Sequence, residues 1–412
     1  MKPKCFQKND RGSGAWRKMK RSREDDKEKS DERRMSKKAK KSEKSFEKNK
    51  NMGEESRKEI KEQEEKKKFQ QKRSRSPESS TGEGSSRKKR PCVPATRPAS
   101  INIDCFRFHS ELGRGAFAKV MMATWTSRKQ RVAMKVSEKT PETEMEVRVL
   151  KVAKGSPFLC HAYGAFQSKS HAYIVLEYIR GGTLMAAMRK TGHLKEDTIA
   201  FYAAEMICGL QFLHSNGIIH LDLKPANILL DGESHIKIAD FGLAMDNMVG
   251  NNTTTGLVGT FRYMAPEVIQ GEEYGAAADW WSLGIIIYQM ATSTFPFSTT
   301  DGKQLSALKD EPFYPRWLSK ELVDLLQALL KKDQHLRLGT TGNIRKHPFF
   351  HHIDWVKLEN RQVQPPFQLA VRSVEDFCDS DGDSPFFSRN KIRNGGNRVL
   401  EDFSFLDPSL QE

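Results

Sequence analysis

The stretch His220-Leu221-Asp222-Leu223-Lys224-Pro225-Ala226-Asn227, followed 18 residues after Asp222 by Asp240-Phe241-Gly242, decides the reading of this chain. It holds a carboxylate able to orient a hydroxyl, a cation two residues on, an amide three beyond that, and a second carboxylate in front of a phenylalanine and a glycine. These are the groups suited to moving a phosphoryl group held on a magnesium-bound nucleotide. Asp-Phe-Gly alone is a weak signal. Its weight comes from the spacing and from two stretches upstream, a glycine-rich turn and Val132-Ala133-Met134-Lys135.

Working outward towards the N-terminus, Leu112-Gly113-Arg114-Gly115-Ala116-Phe117-Ala118-Lys119-Val120 lies between two strand-like runs. Its glycines let backbone amides close over phosphates without Cβ interference. By itself the turn fits a plain hairpin as well as a nucleotide lid. Ala118 stands where a third glycine completes the usual spacing, and one methyl there stiffens the loop without blocking it. Val132-Ala133-Met134-Lys135 reads as a strand whose lysine reaches the α- and β-phosphates of ATP. Such a lysine needs a carboxylate to hold it. Glu146, 11 residues on, has the right register in the helical run Glu142 to Leu150; Glu144 is the alternative, and a solvated helix glutamate is the plain reading. Tyr173 to Ile179 reads as a buried strand entering a linker with Gly181-Gly182. Adenine would sit there between Ala133 and Leu229, bonded to the backbone of Glu177 and Ile179, with Leu176 at the back. The same side chains pass equally as ordinary core.

Towards the C-terminus the pattern turns helical. Ile199 to Ser215 is an amphipathic helix stopped by Asn216-Gly217. Strands are expected around Ile228-Leu229-Leu230 and His235 to Ile238. A loop over 243–258 is closed by Gly259-Thr260-Phe261-Arg262-Tyr263-Met264-Ala265-Pro266-Glu267. Asp279 to Gly284 begins a helix too apolar to be exposed, hence the centre of a larger lobe. More helix is expected from Leu318 to Leu330. The last 62 residues carry aromatic anchors at Trp355, Phe367, Phe403 and Phe405, separated by polar or glycine-rich linker, a pattern suited to wrapping a surface.

Charge divides the chain near residue 100. Residues 1–100 carry 34 Lys and Arg against 17 Asp and Glu, and the remaining 312 carry 35 against 36. The N-terminal segment has too few large apolar residues to offset the entropy of ordering, so disorder is expected there. Its densest clusters, Arg87-Lys88-Lys89-Arg90 and Lys37-Lys38-Ala39-Lys40-Lys41, fit nuclear import, nucleic acid or anionic lipid, or simply a solvated polybasic tail. Cys5, Cys92, Cys105, Cys160, Cys208 and Cys378 show no Cys-x-x-Cys pair, so neither a zinc site nor a disulfide framework is indicated. No apolar run reaches membrane-spanning length and the N-terminus lacks a secretory core. A soluble intracellular protein, cytoplasmic, nuclear or both, is expected, acting as a monomer.

With these residues in hand, the chain from about Phe106 to Pro408 resembles a eukaryotic Ser/Thr protein kinase of the AGC group, most like the catalytic region of the protein kinase C family. Ser156-Pro157-Phe158-Leu159, Trp280-Trp281, Phe295-Pro296-Phe297, Pro365-Pro366-Phe367 and Phe403-Ser404-Phe405 carry the narrower assignment. The resemblance implies an α+β, bilobal kinase fold, with a small β-rich N-lobe and a larger helical C-lobe. A disordered basic segment over 1–100, a catalytic domain over 106–350 and a C-terminal tail over 351–412 follow. It implies ATP and Mg2+ as cofactors and proteins with Ser or Thr acceptors as partners; the basic segment adds contacts with polyanions. Residue by residue, Asp222 orients the acceptor hydroxyl, Lys224 neutralises the moving phosphoryl group, and Thr260 bridges the two, favouring Ser/Thr over Tyr. Asn227 and Asp240 hold magnesium. Lys135, paired with Glu146, grips phosphates under Gly113 and Gly115, while Leu112, Val120, Ala133, Glu177, Ile179 and Leu229 surround the nucleotide. Glu267 pairs with Arg337, and Asp279 supports the catalytic loop. The cysteine-rich zinc pattern of protein kinase C is absent, so control by diacylglycerol or calcium is not expected.

Several positions depart from the family. The cations that clamp a phosphothreonine in many relatives are replaced by Leu221 and Met245, and Gly256 stands at the phosphorylated position itself. Activation without phosphorylation there is expected. The acids that read an upstream substrate arginine are replaced by Thr183, Ala226 and Gln289, so strict basic selectivity should be lost. Ala162 stands where a bulkier residue stacks with Leu150, Phe241 and His220, leaving either a void or a refilled space. The competing readings are a weakly active or pseudokinase scaffold, and a protein whose working part is the basic tail acting as a tether.

Overall fold

Three antiparallel strands carry the upstream half of the site. They are β1 (Phe106–Arg114), β2 (Ala118–Trp125) and β3 (Gln130–Ser137) in a computed structural model that describes residues 101–115, 118–250, 252–297, 306–366 and 399–410. All belong to one unit, Val93–Glu412. The expectations for residues 1–100, for Ala116 and Phe117 at the tip of the glycine turn, and for Phe367 lie outside the described residues.

Side chains alternate across a strand, and this alternation sorts the sheet. Met121, Ala123 and Trp125 of β2 and Val132, Met134 and Val136 of β3 pack with Phe106, Phe166, Tyr173 and Val175 as one apolar layer. Val120, Ala133 and Lys135 therefore occupy the opposite face, where the register pairs Val120 with Lys135. The strands β4 (Ala162–Gln167) and β5 (Ala172–Glu177) extend the sheet, in the order β1-β2-β3-β5-β4-β8, with β8 (Phe405–Leu406) arriving from the C-terminus. Against the face that carries Lys135 runs α1 (Pro141–Ala153). Thr140 caps it by accepting the Thr143 amide at 3.3 Å, Pro141 starts it, and Glu146, Val147, Val149 and Leu150 are buried.

The second half is helical: α2 (Leu184–Thr191), α3 (Glu196–Ser215), α4 (Pro266–Gln270), α5 (Ala277–Thr292), α6 (Ser306–Lys309), α7 (Lys320–Leu329) and α8 (Trp355–Glu359). Every residue from Ala277 to Ala291 is buried, so α5 is the central helix of this lobe. Several boundaries differ from the sequence expectation, among them the start of α5 at Ala277 and not Asp279. Helix α3 begins three residues earlier, because its first turn is acidic Glu196-Asp197, which suits a helix N-terminus but breaks the apolar period. Helix α7 is shorter than Leu318 to Leu330, since Ser319 caps it through the Leu322 amide at 3.1 Å. No helix among the described residues is long and apolar enough to cross a membrane.

A short hairpin of β6 (Ile228–Leu230) and β7 (Ile236–Ile238) places the downstream half of the site. Ile228 pairs with Ile238, and the Ala239 amide donates to the Asn227 carbonyl at 2.8 Å. Asn227 and Asp240 thus leave the same end of the hairpin.

The tail does more than wrap. It adds β8 to the edge of β4, pairing Ala165 with Phe405 and Gly164 with Leu406. Gly164 is required by that approach, because a Cβ there would lie 2.8 Å from the Phe405 carbonyl oxygen. Phe403 is 1% exposed, Gln167 makes two hydrogen bonds to the Leu400 backbone, and Lys154 pairs with Asp407 at 2.7 Å.

Candidate functional site

Lys135 comes from the cleft face of β3 and meets two acids there. Its Nζ lies 2.6 Å from Glu146 Oε1 on α1 and 2.9 Å from Asp240 Oδ1 beyond β7. Glu144 is therefore not its partner. Burial alone would lower the Lys135 pKa, but the two carboxylates outweigh it and raise the ammonium above its ordinary value. Burial likewise works to raise Asp240, yet Lys135 holds it below the usual carboxylate range. Lys135 and Asp240 are thus both kept as charges, the lysine buried and the Asp240 side chain half exposed.

The loop over 220–227 closes on itself around Asp222. Thr260 Oγ1 donates to Asp222 Oδ1 at 2.6 Å, and Lys224 Nζ lies 2.7 Å from Asp222 Oδ2 and 2.8 Å from Thr260 Oγ1. Asn227 Nδ2 donates to the Asp222 carbonyl at 2.9 Å and to Oδ2 at 3.1 Å. Its amide hydrogens are spent on the loop, which leaves the carbonyl oxygen as its free polar end.

What supports this loop is buried. Asp279, 0% exposed on α5, accepts the backbone amides of His220 and Leu221 at 2.9 Å each and a bond from His214 Nε2 at 2.8 Å. Burial would raise its pKa, but His214 and these amides bring it below the ordinary value. His220 Nδ1 accepts the Asp222 amide and Nε2 faces the Ala239 carbonyl at 3.1 Å, which selects the tautomer protonated on Nε2. Leu221 and Asp240 both take φ of 63°, an uncommon conformation for side chains other than glycine. Gly259, at φ 107°, packs against this loop, and a Cβ on it would sit 2.4 Å from the Leu221 carbonyl oxygen. We expect Gly259→Ala to lower kcat/KM more than tenfold. Gly256→Ala is also strained, at φ 122°, but nothing lies within 4 Å of its added Cβ, so it should cost less than Gly259→Ala. Equal losses in steady-state kinetics for the two variants would refute the packing argument.

The remaining residues picked out in the sequence differ in exposure. Ala133 is buried, Val120, Leu176, Ile179 and Leu229 are half-buried, and Leu112 is exposed on β1. The Gly115 amide closes the turn on the Ala118 carbonyl at 2.8 Å, while a Cβ at Gly113 would meet no protein atom within 4 Å. Glu177 has one backbone group already engaged. Its amide donates to the His161 carbonyl at 3.2 Å, so that amide is not available to adenine. Its carboxylate sits 2.9 Å from His161 Nδ1 and 2.8 Å from Lys237 Nζ, tying the linker to β7. Ala162 is 3% exposed within one core with Leu150 and Phe241, and His220 meets Phe241 edge-on at 5.4 Å.

The segment after Asp-Phe-Gly is anchored at several points. Met245 and Ile219 exchange backbone hydrogen bonds at 3.0 Å, Thr254 and Tyr274 do so at 2.9 Å, and Thr253 Oγ1 donates to Glu273 at 3.0 Å. Arg148 on α1 pairs with Asp246 at 2.9 Å. This last contact, like His214 with Asp279 and Glu205 with His235 at 2.5 Å, was not foreseen from sequence.

The model of the protein kinase domain family matches residues 106–350. Protein kinase C delta type of Mus musculus is 40% identical over 327 residues, which covers 75% of this chain and 48% of the relative. Protein kinase C of Drosophila melanogaster is 38% identical over 337 residues, covering 76% and 45%. Protein kinase C epsilon type of Oryctolagus cuniculus is 40% identical over 299 residues, covering 69% and 41%. The chain spans about half the length of the curated relatives it matches.

Proposed function

Since the chain belongs to the protein kinase domain family, we propose that it transfers the γ-phosphoryl group of Mg-ATP to Ser or Thr hydroxyls of protein substrates. The observation that carries this reading is the closed triangle of Asp222, Lys224 and Thr260 beside the Lys135, Glu146 and Asp240 cluster. In this reading Asp222 aims the incoming hydroxyl and accepts its proton. Lys224 offsets charge on the transferring group. Thr260 fixes both side chains and narrows the acceptor site. Lys135, kept charged and immobile by Glu146, takes the α- and β-phosphates. Ala133, Leu229, Val120 and Leu112 enclose the base, with backbone of Ile179 and the Glu177 carbonyl as its polar partners. The open approach at Gly113 suits phosphates coming close to the turn.

The donor set also suits magnesium. Asp240 has a second carboxylate oxygen, Asn227 has its carbonyl oxygen, and no cluster of three or more acidic, His or Cys ligands exists among the described residues. Two oxygen donors completed by phosphates and water are what this cation usually takes. When bound it neutralises charge between the phosphates. An intracellular site of action fits ATP use and the buried thiols of Cys160 and Cys208, which burial pushes up, Cys208 to about 12. The test is transfer of label from γ-labelled ATP to a Ser/Thr peptide. A purified chain that binds no ATP and labels no acceptor rules the reading out.

We also propose that the loop after Asp-Phe-Gly works without a phosphate. Gly256 has no hydroxyl, Met245 and Leu221 offer no cation to a phosphate, and Asp246 supplies an acid that already reaches Arg148. Replacing Thr253, Thr254 and Thr255 together by Ala should leave kcat/KM within threefold of wild type. A loss beyond tenfold would show that one of these hydroxyls is needed.

A further inference from the structure

We infer that Arg262 reads an acidic side chain next to the acceptor residue, so that the substrates are proteins whose target Ser or Thr is flanked by Asp, Glu or a phosphorylated residue. This rests on the phosphotransfer reading and names its substrate class. Thr260 marks where the acceptor hydroxyl enters, because it bonds both Asp222 and Lys224. Arg262 is two residues further, so its Cα lies within about 7 Å of that of Thr260. Both stand in one wall of the acceptor site.

The wall is rigidly mounted. Tyr263, 5% exposed, donates its hydroxyl to Gln289 Oε1 at 2.9 Å, and Ser282 Oγ donates to the Tyr263 carbonyl at 2.8 Å. Tyr263 also meets the Phe295 ring edge-on at 5.7 Å. The exposed Arg262 guanidinium lies 4.7 Å from the centroid of that same ring. Contact with the ring restrains the guanidinium while the side chain stays exposed, which lowers the entropy cost of gripping a carboxylate or phosphate. Among the described residues Arg262 has no carboxylate partner.

The surroundings do not favour a basic substrate. Ala226 is exposed and apolar, the Thr183 hydroxyl caps α2 through the Ala186 amide at 3.1 Å, and Gln289 is occupied by Tyr263. The nearby acids are already engaged, Asp222 with Lys224 and Asp240 with Lys135. An arriving arginine finds no free carboxylate at these positions and meets a cation. An arriving acid meets a preorganised fork, and charge-assisted pairs of that kind are strong enough to set selectivity.

The test uses the full chain and four peptides identical except for the residues flanking one Ser: Glu, phosphoserine, Ala or Arg. Wild type should show kcat/KM about five- to tenfold higher with Glu than with Ala, and lower with Arg than with Ala. Preference for phosphoserine over Glu would identify the primed form of the same class. Arg262→Ala should bring the Glu to Ala ratio close to one, and Arg262→Glu should turn the preference towards the Arg peptide. If Arg262 only shields Phe295, Arg262→Ala will lower the melting temperature and keep the wild-type ratio, which overturns the inference. A wild-type ratio of one, or an arginine preference, also overturns it. Failure of wild type to label any of the four would instead count against phosphotransfer itself.

Discussion

Asp222→Asn is expected to lower kcat at least a hundredfold while leaving ATP affinity and melting temperature near those of wild type. The carboxylate accepts from Thr260, Lys224 and Asn227 at 2.6–3.1 Å, and it is 6% exposed. An amide of the same shape keeps the packing but carries no charge and has one acceptor oxygen in place of two. It can neither hold that set of donors nor take the proton of an incoming hydroxyl, and a positioned base contributes roughly 10²- to 10⁴-fold. None of Lys135, Glu146 and Asp240 contacts Asp222 directly in this account, so nucleotide binding should survive. Calorimetric titration with ATP beside steady-state kinetics separates the two effects. Retention of a tenth or more of the wild-type kcat would remove Asp222 from its assigned role.

Glu267→Ala should destabilise the protein by about 3–5 kcal/mol, the range for breaking a buried ion pair by removing one partner. Glu267 is 2% exposed and Arg337 0%, and the guanidinium meets the carboxylate at 2.6 and 2.9 Å. Arg337 also donates to the Ala277 and Lys331 carbonyls at 2.8 and 3.0 Å and lies 5.2 Å from the Trp281 ring centroid. Without Glu267 its charge stays in the core with backbone carbonyls alone to offset it. Because α4 carries Glu267 directly after the loop of Thr260 and Tyr263, activity should fall along with the urea midpoint. Asp222→Asn acts on chemistry with folding intact; Glu267→Ala acts on folding first. A midpoint unchanged by Glu267→Ala would mean that the pair is not a support of this lobe.

The parts legible in sequence share one property: their partners lie in short motifs whose spacing is set by local backbone. Asp222, Lys224 and Asn227 fall within six residues, and Asp240 follows a hairpin of nearly fixed length. The β3 lysine and the α1 glutamate were also within reach, because strand and helix periods restrict which side chains can meet. Arg148 and Asp246 are 98 residues apart, and Gln167 and Leu400 are 233 apart. No single sequence contains a signal for such pairs, since each residue alone reads as a solvated polar group. The start of α3 was hidden for a related reason. Lys195 makes no side-chain cap, so the only visible signal was the apolar period beginning at Ile199. Thr183 shows in sequence only a missing acid, although its hydroxyl caps α2. Sequence points to the Glu177 backbone without saying which of its groups is free, because the His161 carbonyl that takes its amide lies 16 residues away.

In the proposed reaction two oxygen donors and a held lysine gather Mg-ATP beside a carboxylate that aims an alcohol. Label transfer from γ-labelled ATP to a Ser/Thr peptide, followed with magnesium present and then with the cation removed by chelation, tests this most directly. Wild type should transfer label only with the cation, and restoring magnesium should restore the rate. Transfer that proceeds equally well in excess chelator, or no transfer under either condition, would contradict it.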